Sequence, residues 1–198
     1  MMLLSPYRCL FPALFLSLLL PPTPSATCPC NTTSNYALLM DFYTTTTGWI
    51  TSDGWGDLSV PLCSWWGTNL NGYGITCDGT DIAGISLETN GITGSLPVSW
   101  SSMTQLQQLY LNSNSLTGTL PPSWANMTQL QQLYLYGNSL TGTLPPSWSN
   151  MAQMNGLALL GNSLTGTLLP SWSSMTQLQM LYLYGNSLTG TLPRRGRT

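Results

Sequence analysis

An asparagine recurs every 24 residues along the second half of this chain, and each copy ends the pattern Leu-x-Leu-x-x-Asn, with Ile in place of the first Leu in the first copy. A unit this short cannot bury its own apolar side chains, so units of fixed period stack and bury their faces against one another. The period therefore predicts a solenoid with one coil per unit. The five positions are Asn90, Asn114, Asn138, Asn162 and Asn186.

The motif also predicts the direction of each side chain. The two leucines point inward and the residue between them points outward, as the alternation of a strand requires. Stacked coils then pair these short strands into a parallel sheet. An unpaired buried amide costs on the order of 1 to 3 kcal/mol, so we expect each asparagine to bond backbone groups of its own and the neighbouring coil. The asparagines are accordingly structural and not ligand contacts.

Other residue types recur with the same period. A tryptophan followed three residues later by a methionine predicts a helical turn packed against the core, which we favour over a ladder of rings that stacks sugars. Proline precedes each turn, and glycine occupies positions that need close approach or an unusual backbone angle. The columns are Trp100, Trp124, Trp148 and Trp172; Met103, Met127, Met151 and Met175; Pro97, Pro121, Pro145, Pro170 and Pro193; and Gly94, Gly118, Gly142, Gly166 and Gly190.

The outward strand positions are where recognition is expected. Adjacent strands lie about 4.8 Å apart, so outward tyrosines would form one contiguous aromatic patch. The alternative is that the tyrosines have no binding role and recur only because the repeats are near-identical copies. Tyrosine offers a large contact area and one polar tip. In the fourth unit, glycine, alanine and leucine replace the outward residues and predict a shallow apolar notch, either a pocket or drift. The candidate contacts are Tyr110, Tyr134, Tyr136, Tyr182 and Tyr184, flanked by Gln108 and Gln132.

The charge distribution excludes some functions. The chain has four arginines, no lysine and no histidine, and Thr89 to Pro193 carries no charged side chain. Nucleic-acid binding needs clustered basic residues, and most catalytic bases and activated nucleophiles need His or Lys. Two acidic pairs, Asp53 with Asp57 and Asp78 with Asp81, fit turn chemistry better than glycoside hydrolysis or a calcium site. We predict no catalytic, cofactor or metal site.

The N-terminal residues 1–26 are typical of a secretory signal peptide, with Arg8, an apolar run and the small pair Ser25-Ala26; an uncleaved signal anchor is the alternative. Its removal leaves an even number of cysteines in an oxidising compartment, with three pairings possible. Asn31 and Asn126 begin glycosylation sequons. The four cysteines are Cys28, Cys30, Cys63 and Cys77.

Residues 27–80 are predicted to form a cap on the first coil, because a solenoid must cover its open end. Ser34 is placed to cap a helix whose apolar stripe packs on the coil, and the segment from Thr44 to Gly48 ends it. The stripe is Leu38, Leu39, Phe42 and Tyr43.

The run Leu-x-x-Leu-x-Leu-x-x-Asn-x-Leu-x-Gly-x-Leu-Pro resembles the plant-specific class of leucine-rich repeat. Ala37–Phe42, Cys63–Trp65 and Gly74–Asp78 resemble the cap of that class, and this resemblance implies a disulfide between Cys63 and Cys77. The repeat segment Ser-Trp-Ser-Ser-Met-Thr-Gln-Leu-Gln resembles the repeats of kinetoplastid surface antigens, the promastigote surface antigen and proteophosphoglycan group. Those proteins are secreted or held at the cell surface by a lipid anchor.

These observations predict an α/β solenoid: a leucine-rich-repeat horseshoe of five 24-residue plant-type repeats over residues 81–193, behind a helical, disulfide-stapled cap. The basic tail 194–198 cannot shield the last coil, so we expect either that the chain is a fragment of a longer array or that another molecule covers that end. The predicted function is a secreted or cell-surface recognition or adhesion module that is not catalytic and binds a protein or a carbohydrate. We predict that it does not bind nucleic acid. Contact with a membrane would need an anchor that this chain does not contain. The alternatives are a glycosylated spacer of a surface coat and an ectodomain fragment of a receptor.

Overall fold

The structure, a computed structural model, describes residues 33–48, 74–78 and 81–191. The predicted signal peptide, Asn31, Cys63 and the tail 194–198 lie outside the described residues. Five coils follow one another in the described chain, and they are numbered here from the coil that contains Asn90 (coil 1) to the coil that contains Asn186 (coil 5).

The helix α1 spans Thr33–Thr45 and packs on the first coil. Its Leu39 and Phe42 side chains are fully buried, and the Phe42 ring lies 4.7 Å from the Trp100 ring between centroids. The helix begins one residue earlier than expected, so Ser34 lies inside it and the prediction that Ser34 caps it was wrong. The helix ends at Thr45, within the segment from Thr44 to Gly48 that was predicted to end it, and the Thr44 hydroxyl donates to the Met40 carbonyl oxygen at 2.8 Å.

The first strand of the described chain was not predicted. Strand β1 (Gly74–Cys77) pairs antiparallel with β2 (Ile82–Ser86), with Ile75 opposite Ile85. It therefore covers the edge that the first coil would otherwise expose. Cys77 is disulfide-bonded. Its partner lies outside the described residues, so the pairing with Cys63 stays a prediction.

The main sheet contains one parallel strand from each coil. These strands are β2, β4 (Gln108–Tyr110), β6 (Gln132–Tyr134), β7 (Gly156–Ala158) and β9 (Met180–Tyr182), in that order. The β4, β6, β7 and β9 strands pair with partners offset by 24 residues, as Tyr110 with Tyr134 and Ala158 with Tyr182. This confirms the predicted register, and the concave face of the solenoid is the outer side of this sheet.

A second set of short strands lies further along each coil. They are β3 (Thr93–Ser95), β5 (Ser115–Thr117), β8 (Thr165–Thr167) and β10 (Ser187–Thr189), and two isolated bridges continue the ladder, Thr119 with Thr141 and Thr143 with Thr165. Here the partners are 22 residues apart, so each coil is shifted along the strand by two residues relative to its neighbour.

The tryptophan column forms the opposite wall of the core. Each tryptophan lies in a short 3₁₀ helix, at Val98–Ser102, Pro122–Asn126, Pro146–Asn150 and Pro170–Ser174. The rings of Trp124, Trp148 and Trp172 are stacked at 6.4 Å between centroids, and no tryptophan of the column is more than 5% exposed. Buried rings cannot stack sugars, so the core prediction is right and the sugar-ladder alternative is wrong.

The asparagines form the predicted hydrogen-bonded ladder. The Asn138 side-chain amide donates to the carbonyl oxygens of Leu111 and Leu135 at 3.0 Å, and its Oδ1 accepts from the Leu116 backbone N–H at 3.0 Å. Asn162 repeats the arrangement one coil further on. Each side chain therefore ties two coils together and satisfies backbone groups that the turn leaves unpaired.

Candidate functional site

The concave face has three outward positions in each coil. The first column is Gly84, Gln108, Gln132, Gly156 and Met180; the second is Ser86, Tyr110, Tyr134, Ala158 and Tyr182; the third is Glu88, Asn112, Tyr136, Leu160 and Tyr184. Glu88 is the only charged residue among these positions. The face is therefore aromatic and amide-rich, with one acidic end.

Three tyrosines of coils 2 and 3 contact one another. The Tyr110 and Tyr134 rings are stacked with centroids 4.8 Å apart and an interplanar angle of 22°, and Tyr136 lies tilted at 6.4 Å from Tyr134. The Tyr110 hydroxyl donates a hydrogen bond to Oε1 of Gln132. This group, called the tyrosine cluster here (Tyr110, Tyr134, Tyr136 and Gln132), is half-buried and held by its own contacts.

The surroundings of Tyr110 favour the neutral form of its phenol. Burial raises the pKa of Tyr110 above the ordinary value of 10.0, and Tyr134 and Glu88 raise it further. Ser86 donates a hydrogen bond to the Glu88 carboxylate at 3.3 Å. At physiological pH the Tyr110 phenol is consequently a hydrogen-bond donor and not an anion.

The notch predicted at coil 4 is closed. Gly156 and Ala158 are both buried, although they lie at outward positions of the sheet. A Cβ at Gly156 would lie 3.2 Å from the terminal methyl of Met180 and 3.4 Å from the Tyr134 hydroxyl. Side chains from the coils on either side therefore fill the space that the glycine leaves, and the notch does not remain as an open pocket.

A second exposed group lies on coil 5. Met180 is 36% exposed, Tyr182 47% and Tyr184 70%. This group, called the end group here, is separated from the tyrosine cluster by Ala158 and Leu160 of coil 4. The candidate tyrosines therefore lie in two groups, which the side chains of Met180 and Tyr134 approach from either side over Gly156.

The sequence did not identify every residue of this face. Met180 was missed because it stands where coils 2 and 3 have glutamine, and reading down the column would have shown it. Gln108, a predicted flanking residue, is exposed at the start of β4, whereas Asn112 is buried. The third outward position therefore does not always reach the surface.

Outside the concave face, the described residues contain no group of three His, Cys, Asp or Glu side chains that could hold a metal ion. Asp78 and Asp81 form a turn in which the Asp78 N–H donates to the Asp81 carbonyl oxygen at 3.2 Å, and the Asp78 carboxylate accepts from Gln107. This is the turn role that was favoured over catalysis. Asp53 and Asp57 lie outside the described residues.

A small polar cavity and a glycosylation sequon lie outside the concave face. The cavity, of about 130 Å³, lies between α1 and the first coils and is lined by residues that include Ser34, Asn35 and Asp81. Asn126 is exposed at the end of a 3₁₀ helix, where a glycan would point into solvent. In the part of the chain that is described, no helix has the length and hydropathy of a membrane span.

Comparisons with known proteins agree with this architecture. The leucine rich repeat family matches residues 83–140 and again residues 177–195. No curated protein matches the chain in sequence.

Solved structures that share this fold include plant proteins. The crystal structure of the BIR3–SERK2 complex from Arabidopsis thaliana has a TM-score of 0.69 and 25% identity, over 80% of this chain and 86% of that one. The PEPR1–AtPEP1 structure has a TM-score of 0.71 and 29% identity, over 82% of this chain and 22% of that one. A plant ice-binding protein has a TM-score of 0.72 and 26% identity, over 83% of this chain and 52% of that one. The predicted leucine-rich-repeat fold of the plant type is confirmed.

Proposed function

We propose that this leucine-rich-repeat chain is an extracellular, non-catalytic recognition module that binds a protein or peptide along its concave face. The observation that carries the proposal is the pair of aromatic patches, the tyrosine cluster and the end group, on a face whose only charge is Glu88. Aromatic residues with few charges are the composition of interface cores.

The geometry of the tyrosine cluster supports this function. Tyr110 is held by its stack on Tyr134 and by its hydrogen bond to Gln132 before any ligand arrives. A partner therefore does not bear the cost of ordering these side chains, about 0.5 to 1.5 kcal/mol for each rotamer-rich side chain. The exposed Tyr182 and Tyr184 would add area that a ligand buries fully.

The structural neighbours support a protein or peptide ligand over a carbohydrate. Two of them are described as complexes, BIR3 with SERK2 and PEPR1 with AtPEP1. This chain spans only 22% of the PEPR1 chain, so the activity of that receptor is not carried over. Another neighbour is described as an ice-binding protein, so proteins with this fold differ in their ligands. The ligand of this chain is therefore inferred from its own surface.

The second candidate function is a glycosylated spacer of a surface coat. The exposed sequon at Asn126 and the uncharged repeats favour it, as does the resemblance to kinetoplastid surface antigens. The predicted signal peptide, the Cys63–Cys77 disulfide, a lipid anchor and glycosylation at Asn31 and Asn126 belong to both proposals. The two functions differ in whether the chemistry of the concave face matters.

A binding experiment with matched variants separates them. The secreted chain is used to select binders from a displayed random-peptide library and is also applied to a glycan array. We expect selected peptides to lose on the order of tenfold in affinity for Tyr182→Ala/Tyr184→Ala, because exposed tyrosines are among the residues that most often carry binding energy at interfaces. The control is Val98→Ala, which removes a 62%-exposed side chain away from the concave face.

Circular dichroism of each variant checks that the coils remain folded. Peptides that bind the tyrosine variant as tightly as the parent would overturn the concave-face proposal. A chain that selects no peptide and no glycan would favour the spacer. Binding to glycans alone, lost in the tyrosine variant, would keep the face and replace the protein ligand with a carbohydrate.

A further inference from the structure

The charged side chains of the described residues are all acidic, and all of them lie before coil 2. Two of them join elements of the fold: Asp41 accepts a hydrogen bond from Ser99 at 2.7 Å, and Asp78 accepts one from Gln107 at 3.2 Å. Only Glu88 stands on the concave face. The four acids are Asp41, Asp78, Asp81 and Glu88, and no arginine, lysine or histidine occurs among the described residues.

The Glu88 carboxylate does not join separate parts of the fold. Within the described chain it accepts one hydrogen bond, from Ser86 of the same coil. A half-buried charge without a counter-charge is unfavourable, and the fold does not require one here, because the other coils have neutral residues at this position. These residues are Asn112, Tyr136, Leu160 and Tyr184. The charge of Glu88 is therefore available for a ligand.

The ring of Tyr110 presents one face to the same coil. Between Glu88 and this ring, the described chain of coil 1 has only the small side chain of Ser86, which pairs in register with Tyr110. Tyr110 leans toward coil 3, because its ring stacks on Tyr134 and its hydroxyl donates to Gln132. The face of the ring that is not stacked on Tyr134 is therefore turned toward coil 1.

The charge of Glu88 acts on the Tyr110 ring. Burial is the main cause that raises the pKa of Tyr110, and the neighbouring Tyr134 and Glu88 raise it further. A negative field that disfavours a phenolate favours a positive group at the same place. A cation above Ser86 would contact the carboxylate on one side and the negative face of an aromatic ring on the other.

The shape of this place favours a guanidinium over an ammonium group. A guanidinium is planar, stacks on aromatic rings and donates two parallel N–H bonds to one carboxylate, whereas an ammonium group is more strongly hydrated and does not stack. We propose that the acid–tyrosine site (Glu88, Ser86 and the unstacked face of Tyr110) binds an arginine side chain of the peptide ligand. This rests on the proposed function, to which it adds the charge of the ligand and the end of the concave face at which the basic residue binds.

Parallel peptide selections test the charge of the ligand. A displayed random-peptide library is selected on the secreted chain, on Glu88→Gln and on the matched control Asp81→Asn, which removes the same charge outside the outward columns of the concave face. We expect arginine to be enriched in peptides from the parent and from the control, but not in those from Glu88→Gln. The control separates the site from a general attraction of basic peptides to an acidic protein.

A selected peptide and its citrulline counterpart then measure the contact itself. Citrulline keeps the planar shape of arginine but carries no charge. We expect the parent and Asp81→Asn to prefer the arginine peptide by about five- to tenfold, and Glu88→Gln to bind the two peptides alike. A lysine counterpart should bind more weakly than the arginine peptide, because it loses the stack on Tyr110.

The salt dependence of binding supplies a measurement that needs no variant. The preference of the parent for arginine over citrulline should fall as sodium chloride is added, because salt screens a partly exposed ion pair. A preference that salt does not weaken, or that Glu88→Gln retains, would overturn the site at Glu88. Equal binding of the lysine counterpart would overturn the stacking on Tyr110.

Failure of this inference is distinguishable from failure of the proposed function. Peptides that lose affinity for Tyr182→Ala/Tyr184→Ala, but whose arginine and citrulline forms bind the parent alike, would overturn the arginine site and leave the concave face as the binding surface. A chain that selects no peptide would contradict the proposed function and this inference together.

Discussion

At the scale of single residues, the asparagine ladder shows how one side chain can serve several backbone groups. Oδ1 of Asn114 accepts from the backbone N–H groups of Asn90 and Ile92, both at 3.0 Å. Its amide nitrogen donates to the carbonyl oxygens of Leu87 and Leu111, at 2.8 and 3.0 Å. The backbone of the turn does not form these hydrogen bonds itself. The buried backbone N–H and carbonyl groups therefore depend on the Asn114 side chain for their hydrogen-bond partners.

We therefore expect Asn114→Ala to lower the free energy of unfolding by roughly 2–4 kcal/mol, since it leaves two buried N–H groups without acceptors. Asn186→Ala should cost only about 1 kcal/mol, because that residue is half-buried and its Oδ1 accepts from Leu164 alone. Urea denaturation of both variants provides the measurement. Equal losses at the two positions would show that the ladder does not depend on burial.

At the scale of the coil element, two columns adopt a left-handed backbone for different reasons. Thr89, Ser113 and Gly137 occupy one column with φ of 51°, 57° and 65°, so this position does not require glycine. Gly118 and Gly142 occupy the other, with φ of 80°, and here the neighbouring coil also approaches closely.

Substitution should separate the two columns. Gly142→Ala is expected to destabilise the chain by about 1–2 kcal/mol, because it combines the left-handed strain of an L-residue with a clash against the Thr119 methyl. Gly137→Asn should change stability by less than about 0.5 kcal/mol, since its neighbours in Ser113 begin at 3.6 Å and asparagine tolerates this conformation. Thermal unfolding compares them, and a larger cost at Gly137 would contradict the assignment.

At the scale of the whole molecule, the coils are linked only to their neighbours, so stability is a sum of local terms. Leu133, Leu135 and Leu140 of coil 3 are fully buried. The corresponding residues of coil 5 pack on the core but are half-buried: Leu181, Leu183 and Leu188.

Amide hydrogen exchange should therefore be graded along the solenoid. We expect the amides of Leu181 and Leu183 to exchange faster than those of Leu133 and Leu135, because local opening of coil 5 exposes less buried apolar surface. Mass spectrometry of the full chain, read peptide by peptide, measures this. Uniform protection from coil 2 to coil 5 would show instead that the coils open as one cooperative unit.

Much of the architecture followed from the sequence alone. A fixed period places equivalent residues one above another, so the burial of Trp148, the bonding of Asn138 and the positive φ of Gly142 could all be predicted from one repeat. The outward direction of Tyr110 and Tyr134 followed in the same way, because strand alternation depends only on the backbone.

What only the tertiary structure decided is which outward residues remain accessible and how they are arranged. Met180 and Tyr134 lean over Gly156 and close the predicted notch, and Tyr110 turns into a stack and a hydrogen bond instead of standing free in solvent. The antiparallel strand β1 and the two-residue shift of the threonine ladder were likewise visible only after folding. The physical reason is that direction is a property of one strand, whereas exposure and spacing depend on the side chains and register of the adjacent coils.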